Sequence, residues 1–372
     1  MSEHVKLSEV CEILNSNVDK KTKENEQKVK LCNFIDVYNN WAITKYTSKK
    51  FMKATATQNE INKFSLKKGY VAITKDSETK DDIGISTYIA DNFDNVLLGY
   101  HCTLLKPNQK VLNGKFLNAY LNSFYGRKYF SNCASGSGQR YTLTIDTIKD
   151  LNIPLINIET QQKIARTLSV LDQKIENNHK INELLHTLAY KIYEYYFKYK
   201  PKNANLEQII IENPKSNIMV KNAQKTQDKY PFFTSGDNIL SYPKAIIDGR
   251  NCFLNTGGNA GIKFYVGKAS YSTDTWCICA NEFSDYLYLL LSSIKNHINQ
   301  SFFQGTSLKH LQKNLLKKYP IYMPSVHEIK KFNQIMMPLL TLISINTRTS
   351  KKLEQIRDFL LPLLLKQQVK PQ

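Results

Sequence analysis

The stretch that decides the fold is "NIPLINIETQQKIARTLSVLDQKIENNHKI", from Asn152 to Ile181. A short apolar segment marked by Pro154 leads into a long run whose apolar residues recur every three or four positions. A weaker copy, "KKYPIYMPSVHEIKKFNQIMMPLLTLISINTRTSKKL", extends from Lys317 to Leu353. Spacing of this kind is typical of a helix that packs along another helix. The sequence therefore predicts two short strands, each followed by a long amphipathic helix.

The two helical runs match at a constant offset of 168 residues, and one asparagine interrupts each apolar stripe at the same place. A polar residue in such a seam commonly fixes the register of the two helices. We expect the seam of the first helix to contain Leu168, Leu171, Ile175, Asn178, Leu185, Leu188 and Ile192. Its counterparts in the second are Met336, Leu339, Ile343, Asn346, Leu353, Ile356 and Leu360.

The repeat extends upstream of both helices. Residues 116–130 and 286–302 have helical patterns, and each is followed by a loop of small residues. The segments before them are strand-like and broken by turns. We predict an α+β fold in which two mixed α/β domains are separated by two long helices packed as an antiparallel coiled coil, with a pseudo-twofold internal repeat. The predicted segments are 1–154 (first domain), 155–200 (first helix), 201–320 (second domain) and 321–372 (second helix).

The charge of the chain suggests a polyanionic partner. Lys and Arg number 51 against 32 Asp and Glu, which gives a formal net charge of +19, and both halves of the chain are positive. Such a balance is typical of a protein that binds nucleic acid. A genome that favours Lys and Asn codons is the alternative explanation.

Several classes of protein lack support in the sequence. The start of the chain has no signal-peptide pattern, and the longest apolar runs are too short to span a bilayer. The seven cysteines lack a CxxC pair, so we expect buried, reduced thiols in a cytoplasmic protein, without metal or cofactor. No GxxxxGK[ST] phosphate loop occurs. Glu78 and Lys80 have the spacing of a metal-dependent nuclease, but we interpret them as a solvated turn, and we expect His101 to be a buried histidine.

The motif at the start of the first helix resembles the specificity subunit of type I restriction–modification systems. The likeness is carried by Ile153, Pro154 and Leu155, followed by Glu159 and the run Gln161–Ala165. The chain departs from the family pattern at Ile156 and Asn157, where prolines are usual, and the second copy keeps only Glu328 of the acidic and glutamine positions. The duplication, length and charge extend the resemblance over essentially the whole sequence.

This resemblance implies a subunit without catalysis of its own. Its two domains would be target-recognition domains that each read half of a split sequence in double-stranded DNA, and its helices would set the gap. Its partners would be two adenine methyltransferase subunits and restriction motor–nuclease subunits, and the isolated chain could also self-associate. A coiled-coil adaptor that binds only proteins is the alternative, and a metal-dependent nuclease is the less favoured one.

Base readout requires side chains that donate or accept paired hydrogen bonds, and phosphate contact requires cations, hydroxyls and amides. Loops rich in such groups occur in both domains, and each of these residues has a solvated surface position as its alternative. In the first domain the candidates are Lys75, Arg127, Lys128, Gln139, Arg140 and Tyr141. In the second domain they are Asn255, Thr256, Asn259, Lys263, Gln304, Thr306, Ser307 and Lys309.

Overall fold

The computed structural model describes residues 3–136, 139–223 and 229–369. The chain forms two compact units. The first unit comprises Met1–Gln173 and Leu353–Gln372, and the second comprises Lys174–Lys352. Each unit therefore combines a mixed domain with a segment of both long helices.

The described residues of the first unit form three sheets and one separate strand pair. Its strands are β1 (Glu3–Lys6), β2 (Cys11–Asn15), β3 (Gln27–Cys32), β4 (Ala42–Ile43), β5 (Met52–Ala56), β6 (Val71–Thr74), β7 (Asp76–Ser77), β8 (Ser86–Ile89), β9 (Val96–Leu98), β10 (Cys102–Pro107), β11 (Ser135–Gly136), β12 (Tyr141–Thr142) and β13 (Asn152–Leu155). Its short helices are α1 (Leu7–Val10), α2 (Phe34–Asn39), α3 (Gln58–Phe64), α4 (Gly114–Asn122), α5 (Phe124–Cys133) and α6 (Ile145–Lys149).

The largest sheet of the first unit has the strand order β2-β10-β6-β8-β4 and is antiparallel except for the β4–β8 pair. Helix α4 packs on it and buries Phe116 and Leu117 against Val71 and Ile73. A second sheet has the order β5-β3-β9, and a third has the order β11-β12-β7. Strands β6, β8 and β9 are buried at every position, as expected for strands that are covered on both faces.

The first long helix, α7 (Ile158–Tyr193), ends in a π-helical turn over Glu194–Lys198. It begins three residues after the predicted 155, and its end lies before Pro201, which cannot continue a helix. Asn157 caps its first turn, because its Oδ1 accepts a hydrogen bond of 2.7 Å from the backbone N–H of Glu159.

The second unit repeats the plan of the first. Its strands are β14 (Ala204–Asn205), β15 (Ile211–Glu212), β16 (Tyr230–Phe233), β17 (Leu240–Tyr242), β18 (Arg250–Asn255), β19 (Ile262–Val266), β20 (Ser270–Tyr271), β21 (Thr275–Cys279), β22 (Phe303–Gln304), β23 (His310–Leu311) and β24 (Pro320–Ile321). Its helices are α8 (Ser284–Ser293), α9 (Lys295–Ser301), α10 (Lys313–Lys317) and the second long helix, α11 (Val326–Leu365), which continues into the first unit. The sheets have the orders β15-β21-β18-β19 and β17-β16-β20.

The repeat detected in the sequence is visible in matching structural details. Pro154 lies in a strand that pairs with the opening strand of its own half, and Pro320 does the same. In the second copy, however, the strand begins at the proline instead of ending there. Each predicted upstream helix is in fact two helices, which meet at Ser123 in the first half and at Ile294 in the second.

The long helices pack antiparallel within the second unit. Asn178 Nδ2 donates to Ser350 Oγ at 3.1 Å, and Asn346 Nδ2 donates to Asn182 Oδ1 at 2.9 Å. Residue numbers rise along one helix as they fall along the other, which defines the direction. The two bonds are copies of each other at the offset of 168, since Asn178 corresponds to Asn346 and Asn182 to Ser350. Polar pairs in an apolar seam fix its register.

The remaining seam residues follow the helix period with small shifts. In the first unit Leu168 is buried beside Leu361 and Leu364, and Leu171, Leu353 and Leu360 are half-buried. In the second unit Ile175, Met336 and Ile343 are buried, and Leu185, Ile192 and Leu339 are half-buried. Leu188 and Ile356 were expected in the seam, but both are exposed. The prediction for Leu188 was wrong because Ala189 and Tyr193 turn inward in its place.

An ion pair between Asp172 and Arg357 joins the long helices within the first unit. Asp172 Oδ1 lies 3.2 Å from Arg357 Nη1, and the Arg357 guanidinium lies 4.2 Å from the centre of the Trp41 ring. Burial raises the pKa of Asp172 to about 6, against the lowering effect of Arg357 and the nearby Lys115. The pair therefore fixes the position of the helices at an electrostatic cost.

Within the described residues, no helix combines the length and apolar character that crossing a membrane would require.

Candidate nucleic-acid interface

Two exposed hairpins occupy equivalent places in the repeat. In the first unit β11 pairs with β12, and β12 also pairs with β7, which extends the end of the central strand β6. In the second unit β22 pairs with β23, and His310 also bridges to Gly257, just beyond the central strand β18. Ser135 and Phe303, which open the two hairpins, are 168 residues apart. Each unit thus presents one hairpin beside the end of a central strand.

The first hairpin places Arg140 beside two groups that the sequence analysis did not assign to the interface. Asp76 Oδ2 lies 2.8 Å from His101 Nδ1 and 3.4 Å from Arg140 Nη2. Arg140 Nη2 is also 2.9 Å from His101 Nδ1. A carboxylate only accepts and a guanidinium only donates, so the tautomer of His101 decides whether Nδ1 donates to Asp76 or accepts from Arg140, and Arg140 is attracted to the same Asp76 oxygen in either case. The Arg140 side chain is 58% exposed, which leaves most of its donors directed to solvent.

His101 itself differs from the expectation. We expected a buried histidine, but its side chain is 46% exposed and bonded to Asp76, so that prediction was wrong. The sequence carried only a weak signal for the contact of Asp76 and His101 with Arg140, namely that Asp76 directly follows the candidate Lys75. His101 lies just before β10, a buried strand that pairs with β6. Strand pairing alone brings these residues together.

Aromatic rings hold two lysines at the same surface. Lys75 Nζ lies 4.5 Å from the centre of the Tyr100 ring, and Lys80 Nζ lies 5.5 Å from that of Tyr141. A cation over an aromatic face keeps its charge while its position is restrained. Tyr100 is 50% exposed, so its ring is also available to a ligand.

The other first-domain candidates differ in exposure and in whether their side chains are held by hydrogen bonds within the protein. Arg127 donates to the carbonyl of Ile83 at 2.6 Å and also to that of Asp81, and burial lowers its pKa. Arg127 therefore anchors the turn at Lys80–Asp82. Lys128 is exposed, with its ammonium 5.5 Å from the centre of the Phe124 ring. Gln139 is exposed, whereas Ser137 and Gly138 of the predicted glycine loop lie outside the described residues.

Of the first-domain candidates, Gln139 and Arg140 line a cleft of about 600 Å³. Its lining includes Phe34 and Tyr38 from α2, together with Asp76, His101, Gln139 and Arg140. The cleft therefore combines the carboxylates of Asp76, Glu78 and Asp82, which can accept from amino groups on base edges, with the donors of Gln139 and Arg140.

In the second unit, two candidates are directed inward. Lys263 Nζ donates to the carbonyl of Thr234 at 2.9 Å and to Asn255 Oδ1 at 3.2 Å, and burial lowers its pKa. Asn255 is buried and its amide also donates to the carbonyl of Asn259. A Cβ atom at Gly261 would lie 2.3 Å from the Asn255 amide, so this turn depends on glycine there. Lys263 and Asn255 therefore stabilise the loop that carries the neighbouring candidates.

The other second-domain candidates are brought together by backbone hydrogen bonds. The N–H of Gly258 donates to the carbonyl of Lys309 at 2.9 Å, and the N–H of Leu311 donates to that of Thr256 at 3.0 Å. The loop at Thr256–Asn259 thus lies against the hairpin, although the Thr256 hydroxyl donates to the carbonyl of Asp274. Residues 304–310 are all exposed, including Gln304, Thr306, Ser307 and Lys309.

Metal and thiol chemistry find little support in the described ranges. Nowhere in them do three His, Cys, Asp or Glu side chains converge as metal ligands would. Glu78 and Lys80 are exposed in the turn after β7. All seven cysteines are free thiols, and Cys133 is exposed, contrary to the expectation that they are buried. Burial raises the pKa of Cys11 to about 12, which suppresses its thiolate.

Comparison with known proteins agrees with this architecture. The family model described as "Type I restriction modification DNA specificity domain" matches twice, over residues 2–187 and 202–355. The HindI specificity subunit of Haemophilus influenzae is 30% identical over 136 residues, which span 36% of this chain and 29% of that subunit. The MjaIX specificity subunit of Methanocaldococcus jannaschii is 25% identical over 341 residues, which cover 80% of this chain and 74% of that subunit.

A solved structure shares the fold. The crystal structure of the type I restriction–modification S subunit from M. genitalium has a TM-score of 0.56 and 17% sequence identity, and the alignment covers 98% of this chain and 96% of that one. Since the family model matches most of the chain, the protein belongs to the family of type I restriction–modification DNA specificity subunits.

Proposed function

We propose that this chain is the subunit that reads a bipartite, asymmetric DNA target and holds adenine methyltransferase and restriction subunits on it. Each domain reads one half of the target through its exposed hairpin and the neighbouring loop, and the two helices set the unspecified gap. The chain itself carries no catalytic group in this proposal and acts with DNA in the cytoplasm. The observation that supports it most is the pair of exposed hairpins in equivalent places of the repeat.

The two hairpin loops carry different side chains, which favours a target whose two half-sites differ. The first hairpin offers Arg140 and Gln139, whereas the second offers Gln304, Thr306 and Ser307. Arginine suits guanine and glutamine suits adenine, while hydroxyl groups accept either partner. Two loops of different chemistry read different bases, so the target is expected to be asymmetric. Lys75, Lys128 and Lys309 contact phosphates in this proposal, whereas Arg127, Asn255 and Lys263 support the loops.

The helices offer a surface for the partner subunits. Ile181, Leu184 and Leu188 of α7 are spaced three and four residues apart and are 42%, 71% and 48% exposed. At about 100° per residue they lie within roughly 60° of one another, away from the seam. Leu342 and Ile345 of α11 are each 41% exposed. Exposed apolar side chains at helical spacing commonly receive a partner helix.

Selection of duplexes from a random library by the purified full chain tests the reading function. We expect two short conserved blocks separated by a fixed number of unspecified positions. Deleting one heptad from each long helix removes about 10 Å of helix, so the gap is expected to shorten by about three base pairs. A protein-only adaptor would enrich no sequence, and a nuclease would cleave the duplexes when Mg²⁺ or Mn²⁺ is added.

The partner function has its own test. Leu184→Glu is expected to abolish co-purification with a methyltransferase subunit while the selected DNA sequence is unchanged. The matched control is Glu183→Gln, which alters the neighbouring exposed position without placing a charge in the apolar stripe. Retained co-purification by the Leu184 variant would contradict the assignment of this stripe.

A further inference from the structure

A second basic surface lies in the first unit, apart from the hairpin. It is a groove of about 930 Å³ over one face of the β5-β3-β9 sheet. The opposite face is covered, since Val29, Leu31 and Ala54 are buried against α3. Because strand residues alternate between faces, Lys28, Lys30 and Lys53 share the open side.

The arrangement of these lysines is unfavourable for the free protein. Lys30 is directly opposite Lys53 across the antiparallel pair, and Lys28 is diagonal to Lys53. Like charges in such positions destabilise a sheet. The ammonium of Lys30 is stabilised by two backbone carbonyls, because it donates to those of Ser48 and Lys49 at 3.1 and 3.3 Å. Among the described residues, the side chains of Lys28 and Lys53 make neither a hydrogen bond nor an ion pair, and both residues are exposed.

The rest of the lining narrows the choice of ligand. Lys23 adds a fourth ammonium but pairs with Glu26 at 3.4 Å, and Glu24 and Asp94 add two carboxylates to the lining. The lining contains no aromatic side chain, whereas proteins that bind single strands present aromatic faces for base stacking. A groove of unpaired lysines and hydroxyls fits the sugar–phosphate backbone of a duplex.

Two parallel strands connect this groove with the cleft beside Arg140. Strand β3 leads from Lys28 in the groove to Phe34 in the cleft, and β9 leads from Asn95 in the groove to His101 in the cleft. Six residues separate the two places on each path, and part of each path is not extended, so the two places are at most about 20 Å apart. One turn of duplex is roughly 34 Å long, so both places lie within reach of the same bound DNA.

We propose that Lys28 and Lys53 form a phosphate-binding surface that grips the DNA backbone beside the half-site read by the first domain. This inference rests on the proposed function and adds a sequence-independent contact to it. Lys28 and Lys53 position the duplex, and the hairpin reads its bases.

The salt dependence of DNA binding by the full chain tests this surface. Each phosphate contact that is lost lowers the slope of log K against log salt concentration by about 0.9. The double variant Lys28→Gln, Lys53→Gln is therefore expected to lower the slope by about 1.8, equally on the selected target and on random duplex. Since it removes repulsion between like charges, the variant is expected to fold at least as stably as the natural chain.

The control is Lys63→Gln, Lys67→Gln, which removes two exposed lysines on and after α3, the helix that covers the other face of the sheet. This control is expected to leave the slope unchanged. An unchanged slope for the Lys28, Lys53 variant, in a chain whose natural form still prefers its target, would overturn the inference alone. Absence of any sequence preference in the natural chain would instead overturn the proposed function.

Discussion

Gln161 is expected to be a structural residue whose loss destabilises the first unit. Its side chain is fully buried, and its amide donates to the carbonyls of Val111 and Ile156 at 2.9 and 2.8 Å. Its Oε1 accepts a hydrogen bond of 2.9 Å from the N–H of Asn113. The substitution Gln161→Met keeps the volume but leaves three backbone groups without this partner. A buried group left without a partner costs about 1–3 kcal/mol, and a carbonyl that keeps another partner costs less. We therefore expect the free energy of unfolding to fall by about 2–4 kcal/mol.

Urea unfolding followed by tryptophan fluorescence measures this loss in each unit separately. The chain has two tryptophans, and Trp41 lies in the first unit while Trp276 lies in the second. In a Trp276→Phe background the signal reports the first unit, and in a Trp41→Phe background it reports the second. The control Gln162→Met alters an exposed neighbour and is expected to change stability by less than about 0.5 kcal/mol. If Gln161→Met were as stable as this control, the three hydrogen bonds would not be what holds the start of α7.

Three further outcomes are expected. Because burial raises the pKa of Asp172 to about 6, the native state binds the proton more tightly than the unfolded state, and stability falls as pH rises through 6. Between pH 5 and 7.5 the free energy of unfolding is therefore expected to fall, and Asp172→Asn is expected to reduce this fall by roughly 1 kcal/mol, as measured by urea unfolding. An unaltered pH dependence in the variant would contradict this. Arg140→Ala is expected to cost about 1–3 kcal/mol on target DNA and to relax one position, whereas equal weakening on random DNA in a binding titration would refute base reading. Ser325 and Glu328 cap α11 reciprocally, so Ser325→Ala is expected to cost about 1 kcal/mol in the Trp276 signal, and no loss would show that the cap is dispensable.

The pattern of the helices was predictable because it depends on local spacing. The offset of 168 residues and the shared asparagine position indicated a duplicated helix pair, and the hydrogen bonds of Asn178 and Asn346 are copies of each other. The heptad count failed at Leu188, since an α-helix has 3.6 residues per turn and the stripe drifts over 36 residues. A fixed period assigns that position to the seam, whereas packing selects Ala189.

The sequence predicts which loops carry the candidate residues, but not how their side chains are arranged. Loop composition identified the segments that carry Arg140 and Thr306, but composition does not reveal which side chains turn inward. Lys263 and Asn255 bond to each other and to backbone carbonyls, a result of loop geometry that the one-dimensional pattern does not contain. His101 and Asp76 come together because β6 pairs with β10, a contact between strands that are far apart in sequence. Long-range pairing of this kind is the information that a single sequence lacks.

Gln161 belongs to the motif at the start of α7 that resembles the family pattern, and its hydrogen bonds give a physical reason for a glutamine at this position. The second copy has Ile329 at the equivalent position, and it is buried in the apolar core of its own unit. One copy therefore uses hydrogen bonds and the other uses apolar packing at the same point of the repeat. The departure of the second copy from the motif is a change in how the helix start is stabilised.

Long-read sequencing of the host genome that detects methylated adenine tests the central claim most directly, with this gene intact and deleted. We predict that a split, asymmetric methylated motif is present with the gene and disappears on deletion, and that the deletion of one heptad from each helix moves the motif to a shorter gap. An unchanged methylation pattern on deletion, in a host whose methyltransferase subunit co-purifies with this chain, would contradict the account.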